Sequence, residues 1–131
     1  MKGYVGNIEK ETLENTDFRR VLYTAKNSQL VLMCLKPGEE IGMETHEAHD
    51  QFLRFEEGAG KAILDGVEHD IQADMAVIVP AGTAHNFINT GDTDLKLYTI
   101  YSPPEHKDGT THNTKEDALS HEEHFDGQTT E

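Results

Sequence analysis

Glu44, His46, His49 and His85 are the side chains in the middle of this sequence best suited to holding a cation. Glu44 and His46 stand two apart, shortly after the turn pair Pro37-Gly38. In a strand, side chains at i and i+2 share a face about 6–7 Å apart, so this carboxylate and imidazole reach one ion from one side. His49 lies three residues beyond His46 and faces elsewhere unless the chain turns there. Gln51 begins an alternation in which Gln51, Leu53 and Phe55 point one way and Phe52, Arg54 and Glu56 the other. His85 follows Pro80-Ala81-Gly82, a rigid turn that starts a strand and can aim the imidazole inward. Taken singly, a strand histidine is more often hydrogen-bonded structure than ligand. The residues alone leave both readings open.

The remaining histidines carry less. His106, His112, His121 and His124 fall in the last 26 residues, where a segment so polar implies adventitious metal affinity at most. His121 and His124, in the run His-Glu-Glu-His, share a face at i, i+3 if that stretch is helical. His69, between two turns, reads as a solvated strand residue.

The elements that must position the central group are short strands. Phe18–Thr24 and Gln29–Lys36 flank Ala25-Lys26-Asn27-Ser28, a hairpin loop, and Pro37-Gly38 ends the second stretch. Phe52, Phe55 and Ala62–Leu64 follow, punctuated by Gly58, Gly60 and the turn signal Asp65-Gly66. Met75–Val79, Asn86–Asn89 and Leu95–Tyr101 complete the series. Apolar stretches about every 8–12 residues, rich in β-branched and aromatic side chains, predict an antiparallel sandwich or barrel. No segment here sustains a helical apolar period, although residues 9–17 can hold a helical turn. The fold expected is all-β and one domain, residues 1–112, with its core at about 18–103.

Charge excludes several partners. With 25 acidic against 11 basic residues the net charge is -14, which disfavours nucleic acid and anionic membranes, both of which call for Lys and Arg. No apolar run approaches the roughly 18–20 residues that cross a bilayer. The N-terminus lacks the apolar stretch of a signal peptide, so a cytoplasmic location is expected. The one cysteine, Cys34, rules out an internal disulfide and a cysteine-based zinc site, and its apolar setting predicts a buried, inert thiol. Residues 113–131 hold six acidic residues against one lysine and two large apolar side chains. Such a segment reads as an acidic, mobile tail or a short surface helix.

The order and spacing of the central residues resemble the cupin superfamily, most closely its small single-domain microbial members. Its first motif is Gly, five residues, His, one, His, three or four, Glu, six, Gly. Gly38, Glu44, His46, Gln51 and Gly58 stand at those intervals. The second motif is Gly, five, Pro, one, Gly, two, His, three, Asn, matched by Asp74, Pro80, Gly82, His85 and Asn89. The resemblance implies a double-stranded β-helix, or jelly-roll barrel, with a divalent transition metal in its mouth. It implies Glu44, His46, Gln51 and His85 as the ligand set, and a homodimer joined through N-terminal strands.

Two departures matter. Glu44 replaces the family's first histidine, and Gln51 its glutamate. The usual set of three neutral imidazoles and one carboxylate totals one negative charge, and so does the set here: a carboxylate lost at one corner reappears at another. Two imidazoles and one carboxylate suit non-haem Fe(II), and equally Mn, Ni or Zn. Gln51 offers only a neutral amide, able to ligate weakly or to hydrogen-bond a bound water or substrate. Without a carboxylate at position 51, general-base work falls to a metal hydroxide, His49 or Glu44. Alternation proposes a pocket lined by Met33, Leu35, Leu53, Phe55, Phe87, Ile78, Tyr98 or Tyr101, and Met43. Arg54 is read as pairing with an acidic neighbour or contributing to an interface. The segment Ser102-Pro103-Pro104-Glu105-His106 is read as packing over the barrel's exterior.

The function implied is a metal-dependent enzyme of isomerase, lyase or dioxygenase type. Its substrate would be a small, neutral or weakly anionic oxygenated molecule. The competing reading is a small-ligand binding or sensing module without catalysis.

Overall fold

The computed structural model describes residues 1–131. A short helix, α1 (Ile8–Glu14), precedes the strands β1 (Arg19–Thr24), β2 (Gln29–Leu35), β3 (Asp50–Glu57), β4 (Ala59–Leu64), β5 (Val67–Gln72), β6 (Ala76–Val79), β7 (His85–Asn89) and β8 (Leu95–Ser102). A two-residue strand, β9 (Thr111–His112), and the helix α2 (Lys115–Ser120) follow. The predicted loop at 25–28 closes the β1–β2 hairpin, with the Ala25 N–H donating to the Ser28 carbonyl at 2.9 Å. Asp65 and Gly66 close the β4–β5 hairpin with φ of 48° and 82°, the two positive values a type I′ turn needs.

The strands form two antiparallel sheets, ordered β6-β3-β8-β2-β1-β9 and β5-β4-β7. Their inner faces meet in a core in which Met33, Leu35, Leu53, Phe55, Phe87, Leu95 and Leu97 are fully buried. Each such side chain stabilises the fold by roughly 1.5–3 kcal/mol relative to exposure. This is the all-β antiparallel barrel that the strand spacing predicts, in the jelly-roll form that the cupin resemblance implies. No helix is long and apolar enough to cross a membrane. Cys34 is buried in β2 as expected, and burial pushes its thiol up to about 11.

Two turns show why the motif spacing holds. Gly58, between β3 and β4, has φ +94°, and a Cβ there would meet the Asp94 carbonyl oxygen at 2.5 Å. Asp74 occupies the position of the second motif's glycine and still adopts φ 73°. Its carboxylate accepts a hydrogen bond from Arg54 Nη2 at 3.2 Å, which ties down a conformation that aspartate adopts less readily than glycine. Arg54 Nε also lies 3.2 Å from Glu56, so the arginine pairs with acidic neighbours as its outward position in β3 suggests.

The C-terminal segment folds back rather than leaving the barrel. Thr114 and Asp117 form a reciprocal capping box at the start of α2, and Ala118 is buried in the core. Farther on, the Phe125 N–H donates to the Glu105 carbonyl and the Thr130 N–H to that of Thr24, each at 2.9 Å. Glu131 accepts from the Tyr23 hydroxyl at 2.6 Å. Backbone pairing and caps anchor this segment with almost no apolar side chains, which is why its composition suggested a tail. The helix stops at Ser120, so His121 is its C-cap and His124 lies beyond it; the two do not share a helical face.

His106 and His112 also depart from the surface role expected of them. Both are buried, and His106 packs edge-on against Tyr101 at 5.2 Å between ring centroids. Burial, reinforced by the charge of Arg19, lowers the His106 pKa to about 3. The unfolded chain protonates this imidazole below about pH 6.5 while the folded chain does not, so its contribution to stability is complete above that pH and declines toward pH 3. At pH 5 the loss amounts to about 2 kcal/mol. Urea denaturation at pH 7 and pH 5 checks this: His106→Phe should lose less stability between the two than the wild-type chain. An equal loss in both would remove His106 as the cause.

Candidate metal centre

The site begins with backbone pairing. Residues 38–46 run beside β7 as an irregular extension of the smaller sheet, with the Ile41 N–H donating to the Phe87 carbonyl at 2.9 Å. Glu44 and His85 face each other through two reciprocal backbone hydrogen bonds, both 2.9 Å. The Gly82 N–H then donates to the His46 carbonyl, also at 2.9 Å. Residues opposed in this way put their side chains on one face, and His46, two beyond Glu44, shares it.

The three side chains therefore converge. Glu44 Oε1 lies 3.2 Å from His46 Nε2 and 3.7 Å from His85 Nε2. One nitrogen or oxygen from each of Glu44, His46 and His85 falls within 4.8 Å of the others. His85 is 1% exposed, and its Nδ1–H donates to the Thr83 carbonyl at 2.8 Å. That bond leaves the lone pair on Nε2, a buried atom with no hydrogen-bond partner. Burial pushes the Glu44 carboxyl up, but the hydrogen bond from His46 and the nearness of the His85 ring outweigh it and hold the group at about 2. Hydrogen bonding to Glu44 raises the His46 pKa against the effect of burial.

Gln51 sits on the other sheet, buried, opposite Tyr101 in the β3–β8 register. Its Nε2 donates to Thr99 Oγ1 at 3.0 Å, and that hydroxyl donates in turn to the Phe52 carbonyl at 2.9 Å. The amide is thereby oriented, with Oε1 buried and unpartnered. It forms no hydrogen bond with Glu44, His46 or His85. Tyr101 stands edge-on to His46 at 5.8 Å, and burial raises its phenol pKa well above the ordinary value.

Glu105 is the residue that sequence reasoning missed. The turn after β8 brings it inward rather than over the exterior, with Oε2 at 3.2 Å from His49 Nε2 and 3.8 Å from His46 Nδ1. His49 Nε2 also lies 3.0 Å from the Pro104 carbonyl, so its N–H is already committed. His46, His49 and Glu105 form a second close group, but this commitment makes it a brace for His46. A carboxylate on Nδ1 of an imidazole keeps Nε2 available as a ligand. The pair of prolines signalled the end of a strand and nothing about where Glu105 points.

The cavity beside this group has a volume of about 490 Å³, within the usual range for small-ligand sites. Phe18, Arg19, Glu44, His46 and Glu105 form one side, and Lys115 through His124 contribute much of the other. The lining predicted from alternation was wrong for most of its members. Met33, Leu35, Leu53, Phe55 and Phe87 fill the barrel below, whereas Met43 and Ile78 are exposed on the outside. Alternation separates inside from outside, but the wall was supplied by the C-terminal segment.

Comparison with known proteins agrees with this architecture. The family described as the cupin domain matches residues 31–101. A Bacillus subtilis (strain 168) protein named uncharacterized protein YrkC is 47% identical over 128 residues, covering 93% of this chain and 69% of that protein. The crystal structure of BH2720 from Bacillus halodurans superposes with a TM-score of 0.90 at 44% identity, covering 92% of this chain and 96% of the other. A predicted oxalate decarboxylase from Thermotoga maritima gives a TM-score of 0.57 at 27% identity over 60% of this chain and 68% of the other.

The contact between Glu44 and His46 has a direct consequence. In protein stripped of metal by a chelator, Glu44→Gln should lower the His46 pKa followed by NMR titration, because the neutral amide no longer favours the imidazolium. Glu105→Gln should lower it less, its carboxylate being farther away. An unchanged His46 titration in Glu44→Gln would show that another group holds the ring.

Proposed function

We propose, since the chain belongs to the cupin family, that it is a metal-binding protein whose divalent transition metal is held by Glu44, His46 and His85. The reading extends to a metal-dependent enzyme acting on a small oxygenated molecule. One observation carries it: the buried Nε2 of His85 has no partner in the protein, although its tautomer directs a lone pair toward Glu44 and His46. A buried imidazole nitrogen left without a hydrogen bond is costly, and a cation is the partner that its two neighbours also suit.

The residues present fit such an ion. Two imidazoles and a carboxylate supply one negative charge and leave coordination positions for water or substrate. Once bound, the metal would act as a Lewis acid toward a substrate oxygen. The chain's own groups do the positioning. Glu105 braces His46, and the Thr83 carbonyl fixes the tautomer of His85. Gln51, oriented by Thr99, presents a neutral amide oxygen without a partner. Fold neighbours include a predicted oxalate decarboxylase, which is consistent with an oxygen-rich ligand.

Gln51 also favours a second reading, a binding or sensing module without turnover. Where the resemblance puts a carboxylate, the chain has an amide, and the nearby His49 is committed to Pro104 and Glu105. No carboxylate stands at position 51 to act as a general base, and Glu105 is engaged by His46, His49 and His124.

Metal analysis of untagged protein tests the common premise. About one equivalent of a transition metal per chain is expected, and Glu44→Gln and His85→Ala should each weaken uptake by about tenfold or more. His121→Ala and His124→Ala should leave it unchanged. Negligible metal, with none regained on incubation, would overturn the assignment, as would loss of binding only in the C-terminal variants. Oxygen consumption by iron-loaded protein with candidate substrates would then separate a dioxygenase from an isomerase, a lyase or a binder.

A further inference from the structure

Arg19, like Lys115 at the other side, is a cation lining the cavity that the proposed metal site does not use. It opens β1 facing inward, paired in register with Met33 of β2 and His112 of β9. Its Cζ lies 5.4 Å from the centroid of the Phe18 ring, and its Nε is buried with no hydrogen-bond partner. The guanidinium forms no ion pair, although the carboxylates of Glu44, Glu105, Glu122 and Glu123 line the same cavity.

The reason is that those carboxylates are spoken for or solvated. Glu44 faces His46 and His85, while Glu105 faces His46, His49 and His124. Glu122 is exposed at the rim and Glu123 partly so. The Arg19 charge acts inside the cavity as well: it lowers the pKa of His106 and opposes the rise in that of Tyr101, burial being the larger cause in both. A planar donor fork over an aromatic face, next to an unfilled volume, matches the geometry of a carboxylate. Charge limits the choice further. A divalent ion on Glu44, His46 and His85, with Glu105 and Arg19 beside it, leaves this part of the cavity one unit positive. A singly charged ligand neutralises that, whereas a phosphate dianion would add charge beside two further glutamates, Glu122 and Glu123.

We propose that Arg19 anchors the carboxylate of a small hydroxy- or oxo-carboxylate ligand, the class of substrate or effector that this cavity takes. This rests on the metal reading above, since the ligand's remaining oxygen would face the Glu44, His46 and His85 group. Arg19 thus selects the ligand by charge and shape, and the chain's acidity elsewhere does not bear on the choice.

Calorimetric titration of the full chain tests this, with glycolate, its neutral counterpart glycolamide, and inorganic phosphate as probes. Wild-type protein carrying one equivalent of zinc should bind glycolate at least about tenfold more tightly than glycolamide, and phosphate more weakly than glycolate. Arg19→Gln and Arg19→Met should lose that preference at unchanged metal content, and Arg19→Lys should keep part of it because a point charge remains without the fork. Equal binding of glycolate and glycolamide by the wild type would overturn the proposal. So would a preference retained in Arg19→Gln or Arg19→Met, which would leave Arg19 a packing partner of Phe18. Should either variant fail to fold, Arg19→Lys decides, since wild-type affinity for glycolate there would show that the fork is not used. If the wild type takes up no metal, the metal reading falls by itself. The Arg19 assignment is then judged on metal-free protein, where glycolate must still exceed glycolamide in the wild type and not in Arg19→Gln.

Discussion

Two reciprocal backbone hydrogen bonds between Glu44 and His85 determine what the mouth of this barrel can do. They set residues far apart in sequence directly opposite each other, and strand geometry then brings His46 onto the same face. A shift of one residue in this short pairing would turn Glu44 outward and bring in Met43 or Thr45, neither of which is a strong ligand. Register here is fixed from both ends, by the Ile41–Phe87 contact on one side and Gly82–His46 on the other. Chemistry at the site is therefore a consequence of sheet pairing, held by a stretch of chain too irregular to form a full strand.

The charge of the molecule resolves into pairs near that pairing. Glu44 serves two imidazoles and Glu105 serves three, so the carboxylates at the mouth each have cationic or hydrogen-bonding partners. Most of the net charge of -14 lies elsewhere, on solvated surface, where it costs little and specifies little. Arg19 stands out because it breaks this matching. A guanidinium with an unpartnered, buried Nε is costly in a chain so rich in carboxylates, unless something outside the chain completes it.

What could be read from the sequence was local or carried by spacing. The hairpin at 25–28, the Asp65-Gly66 turn and the inward alternation of Gln51, Leu53 and Phe55 follow from turn chemistry and period two. The convergence of Glu44, His46 and His85 followed from motif intervals, which record the register just described. Glu105, Arg19 and the wall contributed by residues 115–124 were out of reach for a different reason. Their positions depend on how the chain returns after β8 and pairs again with β1 through β9. Composition left a mobile tail or a short surface helix open there; the short helix forms, and backbone hydrogen bonds and one capping box hold a segment that has few apolar side chains to bury. His106 is the sharpest instance: a histidine in a polar run that is nonetheless buried against Tyr101.

The exchange of histidine for glutamate at position 44 also changes how the site treats a proton. A third imidazole would leave Glu105, 3.8 Å from His46 Nδ1, as the carboxylate nearest these rings. A carboxylate, held near a pKa of about 2 between two rings, instead draws a proton onto His46. The proton this favours lies on Nε2, the atom that faces Glu44 at 3.2 Å. A metal held there would compete with that proton, and its affinity would weaken as pH falls. Glu105 adds to the effect, since its carboxylate, 3.8 Å from Nδ1, also raises the His46 pKa. The substitution that looked like a departure from the motif thereby ties the proton affinity of His46 to the charge at position 44.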